Sequence, residues 1–143
     1  MKAPSATVHP FERELRIRFA HCDPAGIVFF PQYLVMVNNL VEDWVTDALG
    51  VPYAQLISQR RTGLPTAALH CEFTAVSRMG EDVRLGLSVE ALGRKSLTLH
   101  LGCRQGDEQR MSVKQVLVFT NLDTHQSIPV PDDLRAAIEK FSS

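Results

Sequence analysis

Apolar and polar residues alternate over most of the second half of the chain. An apolar residue recurs at every second position in residues 67–76, 83–91 and 97–103, and a fourth segment, residues 113–120, is apolar on both sides over 116–119, as expected of a strand inside the sheet. A period of two is typical of a half-buried β-strand. Turn-like groups rich in glycine and charge separate these segments, at residues 79–82, 93–95 and 105–108. The pattern therefore predicts four strands that form an antiparallel meander.

Two elements are predicted ahead of these strands. From Glu12 to Phe19, charged and apolar residues alternate, which indicates a first strand. From Pro31 to Leu49, large apolar residues recur at helical spacing and leave only a narrow polar stripe. Gly50 follows at a position where helices commonly end. Because so little of this helix is polar, we expect other structure to cover most of it.

The order of the elements predicts an α+β fold. Shorter helices are expected at 52–59 and 131–141, and the simplest cover for the long helix is a five-stranded antiparallel sheet wrapped around it. No internal repeat divides the chain, so residues 1–143 are predicted to form a single domain. Residues 1–10 contain Pro4 and Pro10 and no periodicity, and we expect a loose N-terminal arm there. Such a sheet leaves an edge strand open, and strand pairing between two copies would cover it.

Charge and cysteine content narrow the class of protein. The formal net charge is −1 and the pI is near 6.5, which gives no reason to expect a nucleic-acid or membrane partner. The first ten residues contain no apolar run of the secretory type, and no run is long enough to span a bilayer. Cys22, Cys71 and Cys103 show no CxxC spacing. We therefore expect reduced thiols and a cytoplasmic location.

The most informative motif lies between the first strand and the long helix. It reads Cys-Asp-Pro-Ala-Gly-Ile-Val-Phe-Phe-Pro-Gln over residues 22–32. Asp23 stands beside a proline and near Gly26, which indicates a turn, and Pro31 suits the first turn of a helix. A carboxylate is thus predicted next to a helix N-terminus, where backbone N–H groups can polarise an electrophile.

On these residues the chain resembles hotdog-fold acyl-CoA thioesterases of the 4-hydroxybenzoyl-CoA thioesterase family. The resemblance rests on the 23–33 motif with Tyr33, on the helix after it, and on the group Gly93-Arg94-Lys95-Ser96 between two strands. It implies hydrolysis of an acyl-CoA to a free acid and CoA. It further implies that Asp23 acts as nucleophile or general base and that the N–H of Phe30 polarises the thioester carbonyl.

The resemblance also implies the remaining site residues and the assembly. It assigns substrate binding to five residues, with the cationic turn near the CoA nucleotide: Gly26, Asn38, Arg94, Lys95 and Ser96. Members of the family form dimers or tetramers with sites at the dimer interface. No metal and no cofactor are expected, because a thioester is already activated and CoA enters as part of the substrate. The expected partners are thus an acyl-CoA and further copies of the chain.

One position departs from the family pattern and bears on the acyl group. Where the 4-hydroxybenzoyl enzyme has an acid on the central helix that receives the substrate phenol, this chain has Asn38. An amide forms hydrogen bonds but carries no charge. A benzoyl-like or other aryl group is therefore favoured, and a medium-chain acyl group remains open.

Other interpretations stay open at this point. A related thioesterase branch uses a carboxylate on the helix, which would here be Glu42. The adjacent His21, Cys22 and Asp23 make a poor relay, because neighbours on an extended chain point to opposite sides. His70 and Glu72 share a strand face, but two ligands are weak grounds for a metal site. A hotdog dehydratase and a non-catalytic acyl-CoA or acyl-carrier binding module are the alternative functions.

Overall fold

In the computed structural model, which describes residues 5–143, an antiparallel sheet of five strands wraps around one long helix. The elements in chain order are β1 (Phe11–Arg16), α1 (Phe30–Asp43), α2 (Tyr53–Ser58), β2 (Thr62–Gly63), β3 (Thr66–Phe73), β4 (Asp82–Leu92), β5 (Ser96–Gln105), β6 (Glu108–Val118), β7 (Thr120–Asn121), β8 (Gln126–Ser127) and α3 (Asp132–Ser142). This architecture confirms the predicted α+β class and the five-stranded sheet around a central helix.

The strand order is β1-β4-β5-β6-β3, which corrects one prediction. Strands β4, β5 and β6 form the expected meander, but β3 pairs with β6 at the far edge and does not contact β4 as a neighbour. Residues 74–81 connect β3 to β4 across three strand spacings, about 14 Å. Alternation along a strand indicates its two faces but not its neighbours, so the meander was wrong at β3.

The central helix is buried along one side, as its sequence predicts. Its buried residues face the concave side of the sheet; within α1 they are Tyr33, Met36, Val37, Leu40 and Val41. A π-helical turn, Trp44–Ala48, continues the helix and buries Trp44 and Val45. Gly50 follows with φ +75°, the left-handed conformation that ends a helix. The predicted helix from Pro31 to Leu49 is thus confirmed, although the widened last turn was not foreseen.

The N-terminal arm is not loose where the structure describes it. Ser5 pairs with Glu108 in an isolated bridge, and the N–H of Ala6 donates to the carbonyl of Asp107 at 2.9 Å. The ring of His9 is buried on the convex face of the sheet. The prediction of a loose arm is therefore wrong for residues 5–10, and its first four residues lie outside the described chain. A segment without hydrophobic periodicity can still pack on the sheet when one of its side chains, here His9, is buried there.

A second, three-stranded sheet and two shorter helices, α2 and α3, complete the fold. Strand β7 pairs with β2 and β8, and α3 buries Leu134 and Ile138 against the core. The helices predicted at 52–59 and 131–141 are confirmed as α2 and α3. Strands of two residues are too short to show a periodicity, so this sheet was missed. Within residues 5–143, no helix combines the length and apolarity needed to cross a membrane.

Candidate active site

The chain between β1 and α1 folds back on itself as a short two-stranded loop. Cys22 pairs with Val28 in an isolated bridge, and the N–H of Phe29 donates to the carbonyl of His21 at 2.9 Å. The N–H of Asp23 donates to the carbonyl of Ile27 at 3.0 Å. We call residues 17–29 the Asp23 loop. Asp23 lies at its tip, in the turn that the sequence predicts.

The side chain of Asp23 helps to build its own turn. Its Oδ1 accepts the N–H of Ala25 at 2.8 Å, and its carbonyl accepts the N–H of Gly26 at 3.0 Å. Gly26 has φ +77°, a conformation that favours glycine. Asp23 is half-buried, and in the described chain no donor reaches its Oδ2. One carboxylate oxygen thus fixes the turn while the other is available for chemistry.

The start of α1 presents a free backbone donor at Phe30. Phe30 is the first helical residue, and Pro31 after it has no N–H. The N–H of Gln32 donates to the carbonyl of Phe29 at 2.8 Å, whereas the N–H of Phe30 has no acceptor within residues 5–143. The first turn contains no acidic side chain, so nothing there opposes the positive end of the helix dipole.

His21 lies within this loop but forms no relay with its neighbours. The N–H of Arg18 donates to its Nδ1 at 2.8 Å, and burial, followed by the charge of Arg18, lowers its pKa. The thiol of Cys22 donates to the carbonyl of Arg18 at 3.3 Å. His21 instead lines a cavity of about 160 Å³ between β1 and α1. The structure therefore agrees with the argument against a Cys–His–Asp relay.

Asn38 is placed apart from the Asp23 loop. It lies on the exposed side of α1, eight residues after Phe30 and thus about 12 Å along the helix axis. Glu42, the alternative carboxylate, lies one turn further along and is also exposed. Neither residue reaches Asp23 within one protomer. Both lie on the exposed side of the helix.

The cationic turn lies at the opposite end of the sheet. Arg16, the last residue before the Asp23 loop, pairs with Asp82 at the beginning of β4, whereas Gly93–Ser96 follow the end of β4. The eleven residues of β4 separate these two ends by about 30 Å. Residues that the resemblance assigns to one site are thus not brought together within one protomer.

The turn itself is well ordered. The Arg135 guanidinium donates to the carbonyl of Gly93 at 2.6 Å, and Lys95 Nζ donates to Ser127 Oγ at 3.3 Å. A Cβ at Gly93 would lie 2.8 Å from Ser96 Oγ, so a larger residue here would require the Ser96 hydroxyl to move. Arg94 is exposed, and in the part of the chain that the structure describes it forms no ion pair. The turn therefore presents an uncompensated cation on a rigid base.

The described residues contain no candidate metal centre. His70 Nε2 lies 3.3 Å from Glu72 Oε1, but both side chains are largely exposed on the edge strand β3. Across residues 5–143, no group of three or more His, Cys, Asp or Glu side chains converges on one point. The His70–Glu72 pair is thus a surface contact.

Three residues that support the Asp23 loop were not found by sequence reasoning. Ser77 and Glu81 lie in the β3–β4 connection, and Arg110 lies on β6. The carbonyl of Ser77 accepts the N–H of Val28 at 2.9 Å, and Glu81 forms a partly buried ion pair with the buried Arg110. Their sequence signal is ordinary, since a serine and two charges near turns are typical of any surface.

Comparisons with known proteins agree with this geometry. A 1,4-dihydroxy-2-naphthoyl-CoA hydrolase from Thermosynechococcus vestitus is 28% identical over 122 residues, which cover 84% of this chain and 82% of that protein. A 4-hydroxybenzoyl-CoA thioesterase from Pseudomonas sp. (strain CBS-3) is 26% identical and covers 82% of this chain and 89% of its own. The solved structure of a gentisyl-coenzyme A thioesterase matches with a TM-score of 0.82 at 26% identity, over 90% of this chain and 99% of that one.

The fold and these relatives define a hotdog-fold thioesterase, an enzyme that hydrolyses thioesters. The family model of the thioesterase-like superfamily matches residues 17–138, which is most of the chain. The chain belongs to that superfamily. The resemblance drawn from residues 23–33 is therefore confirmed at the level of family, fold and reaction class.

Proposed function

We propose that this enzyme hydrolyses acyl-CoA thioesters with Asp23 as its catalytic carboxylate. The observation that carries the proposal is the Asp23 loop, which combines a carboxylate oxygen free of donors with the free N–H of Phe30. Asp23 either attacks the thioester carbonyl carbon or takes a proton from the water that does. The negative charge that develops on the carbonyl oxygen is stabilised by the N–H of Phe30 and the helix dipole. If water attacks, the bond to sulfur breaks, the acid is released, and the proton held by Asp23 passes to the CoA thiolate. If Asp23 attacks, the CoA thiolate leaves first, and water then hydrolyses the mixed anhydride on Asp23, which releases the acid and restores the carboxylate.

An aryl acyl group is the proposed substrate. Three relatives carry names with aryl-CoA substrates, 1,4-dihydroxy-2-naphthoyl, 4-hydroxybenzoyl and gentisyl. Asn38 stands where the resemblance places an acid for the phenol, and an amide gives a hydroxylated ring less advantage than a carboxylate does. A benzoyl-like group is therefore favoured over 4-hydroxybenzoyl, with medium-chain acyl groups next.

A second copy of the chain is proposed to complete the site. Among the strands of residues 5–143, β3 pairs only with β6, and all but one of its residues are exposed, including Leu69 and Phe73 at 43% and 47%. A long, open, apolar edge is a template for strand pairing. Antiparallel pairing of two β3 edges about a two-fold axis sets the Phe73 end of one copy beside the Thr66 end of the other.

This pairing would place the cationic turn of one copy near Asp23 of the other copy. Phe73 packs on Phe30 with ring centroids 6.0 Å apart, so its end of β3 is the end of the Asp23 loop. The Thr66 end is level with Leu97, next to the turn that carries Arg94. Two-fold pairing would therefore bring Arg94 of the partner subunit toward Asp23, where its cation suits a CoA phosphate. We propose at least a homodimer with composite sites, and a homotetramer as a pair of such dimers.

The test is a thiol-release assay with benzoyl-, 4-hydroxybenzoyl-, phenylacetyl-, hexanoyl- and palmitoyl-CoA. We expect benzoyl-CoA to be turned over at least as fast as 4-hydroxybenzoyl-CoA. Asp23→Asn should lower kcat by at least about 100-fold, whereas Asp107→Asn, in the β5–β6 turn, should leave it unchanged. A folded Asp23→Asn enzyme with full activity would refute the catalytic role. A strong preference for the hydroxylated ring would refute the proposed acyl group.

The two alternative functions predict other results in the same assay. A binding module would retain acyl-CoA and release no thiol from any substrate. A dehydratase needs a histidine paired with an acid in the site, whereas the Nδ1 of His21 is occupied by the backbone N–H of Arg18. Release that depends on Asp23 would exclude both.

A further inference from the structure

Arg110 is a buried cation in the middle of a polar cluster. It lies on β6 and is only 4% exposed. Its guanidinium contacts both oxygens of Glu81 at 3.0 and 3.2 Å and donates to Gln105 Oε1 at 2.7 Å. Its Nε lies 2.7 Å from Glu108 Oε1, although the two are not aligned for a hydrogen bond. The Arg110 hydrogen bond is the main cause that lowers the pKa of Glu81, which favours the ionised pair.

The cluster fixes the connection between β3 and β4 at several points. Arg110 Nη1 donates to the carbonyl of Val76 at 2.9 Å and to Ser77 Oγ at 3.2 Å. The carbonyl of Arg110 accepts the N–H of Thr74 at 3.0 Å. Glu81 Oε1 accepts the N–H of Arg78. Arg110, with its side chain and its carbonyl, and Glu81 thus hold residues 74–81, which form neither helix nor regular strand.

That connection is hydrogen-bonded to both arms of the Asp23 loop. On the incoming arm, the N–H of Ile17 donates to the carbonyl of Glu81 at 2.8 Å. On the outgoing arm, the N–H of Val28 donates to the carbonyl of Ser77 at 2.9 Å. The carbonyl of Gly26 accepts the N–H of Met79 at 3.0 Å. The loop that carries Asp23 is therefore clamped by a segment that Arg110 and Glu81 hold in place.

The same cluster reaches the start of the helix. The hydroxyl of Tyr33 donates to Ser77 Oγ at 2.8 Å, and both residues are buried. Tyr33 lies one turn after Phe30, whose N–H is the proposed carbonyl-polarising donor. Ser77 therefore contacts Arg110, the Asp23 loop and α1 together. A displacement of the connection would move the carboxylate and the donor relative to each other.

We propose that Arg110 and Glu81 are positioning residues for catalysis, which set the geometry between Asp23 and the N–H of Phe30. The inference rests on the proposed role of Asp23 and Phe30. Arg110 is buried beneath the connection and contacts no reacting atom, so its effect passes through residues 76–81. Because a misplacement of about 1 Å can cost about 100-fold in rate, a loosened clamp should lower kcat far more than it weakens substrate binding.

The test compares two arginines that form ion pairs of similar burial. Arg110→Gln removes the clamp, and Arg104→Gln removes the bidentate pair with Glu12, whose side chains are 18% and 14% exposed and do not touch the Asp23 loop. We expect Arg110→Gln to lower kcat by about 10- to 100-fold with KM changed less than about threefold. Arg104→Gln should lower the melting temperature but leave kcat unchanged.

A milder pair keeps the test decisive if Arg110→Gln does not fold. Tyr33→Phe and Ser77→Ala each remove one hydroxyl from the link between the cluster and α1, and both should lower kcat with little change in KM. Equal kcat in the wild type and these variants, or an Arg110→Gln effect no larger than that of Arg104→Gln, would overturn the inference. Asp23→Asn is assayed alongside: if it stays active, the proposed function fails instead.

Discussion

The imidazole of His9 occupies the space that a side chain at Gly86 would need. A Cβ at Gly86 would lie 2.6 Å from His9 Cδ2 and 2.8 Å from His9 Cβ. His9 Nδ1 lies within hydrogen-bond distance of Ser88 Oγ, at 2.9 Å, and the ring stacks edge-on against His100 at 5.0 Å between centroids. The side chain of His9 therefore holds the N-terminal segment on the convex face of the sheet, in a slot formed over Gly86 and Gly102.

Substitution of Gly86 should release this fastening. We expect Gly86→Ala to lower the free energy of unfolding by about 1 to 3 kcal/mol, because the ring must leave its place. Gly102→Ala, whose Cβ would lie 3.3 Å from His9 Nε2, should cost less. Urea unfolding measures both. The cost of Gly86→Ala should also disappear in a His9→Ala background, and an unchanged cost there would contradict the assignment.

The stability of the protein should depend on pH through His9. Burial, followed by the neighbouring His100, lowers the pKa of His9 from 6.5 to about 4, with Arg104 acting in the same direction and Glu12 opposing it. Between these two pH values the unfolded chain binds the proton and the folded chain does not. The contribution of His9 is therefore fully present above pH 6.5 and is lost as the pH falls toward 4. In urea unfolding between pH 4.5 and 7, His9→Gln should show a flatter profile than the wild type.

Gly26 should matter for activity beyond its effect on stability. Its φ of +77° makes an alanine strained by about 1 to 2 kcal/mol, although a Cβ would meet no atom within 4 Å. Gly106, with φ +56° in the β5–β6 turn, provides a control with the same kind of strain. Both alanine variants should lose similar stability. Only Gly26→Ala should lower kcat, by about tenfold or more, and equal kcat values for the two would show that the turn at Asp23 tolerates distortion.

Mixing two defective variants should restore activity if the sites are composite. Asp23→Asn lacks the carboxylate, and the double variant Arg94→Ala/Lys95→Ala lacks the cations near CoA. In a mixed dimer, one site would combine the intact Asp23 of one copy with the intact turn of the other. At substrate concentrations where each variant alone is inactive, random mixing should recover about a quarter of wild-type activity. No recovery after demonstrated subunit exchange would mean that each site lies within one protomer.

The parts that could be predicted from the sequence are those set by local pattern. The helix that includes Tyr33 and the alternation in β4, β5 and β6 are repeated over many residues, and the turn at Asp23 is set by its own glycine and prolines. The position of β3 could not be predicted, because it depends on residues 74–81 meeting the Asp23 loop. The slot for His9 depends on Gly86 and Gly102 lying opposite each other on paired strands. Such pairings are properties of the folded chain.

The site residues divide in the same way. Asp23 and Phe30 follow from a contiguous motif, and the structure places them on one loop and helix. The role of Arg110 could not be predicted, because only the folded structure places this residue of β6 beneath residues 76–81. Arg110 is far from that loop in sequence, and its neighbours are ordinary charged and polar residues. No sequence pattern therefore indicates its role.

Strand β6 lies in the last third of the sequence, so the ribosome releases it after most of the other elements of the sheet. It is the partner of β3 and the carrier of Arg110, so neither the outer edge of the sheet nor the clamp on the Asp23 loop exists before it appears. Asp23 leaves the ribosome early, whereas residues 74–81, which support its loop, are held in place only after β6 has formed. A nascent chain that stops short of β6 would contain the whole 23–33 motif without the segment that holds it in place. We therefore expect activity only after β6 has folded into the sheet.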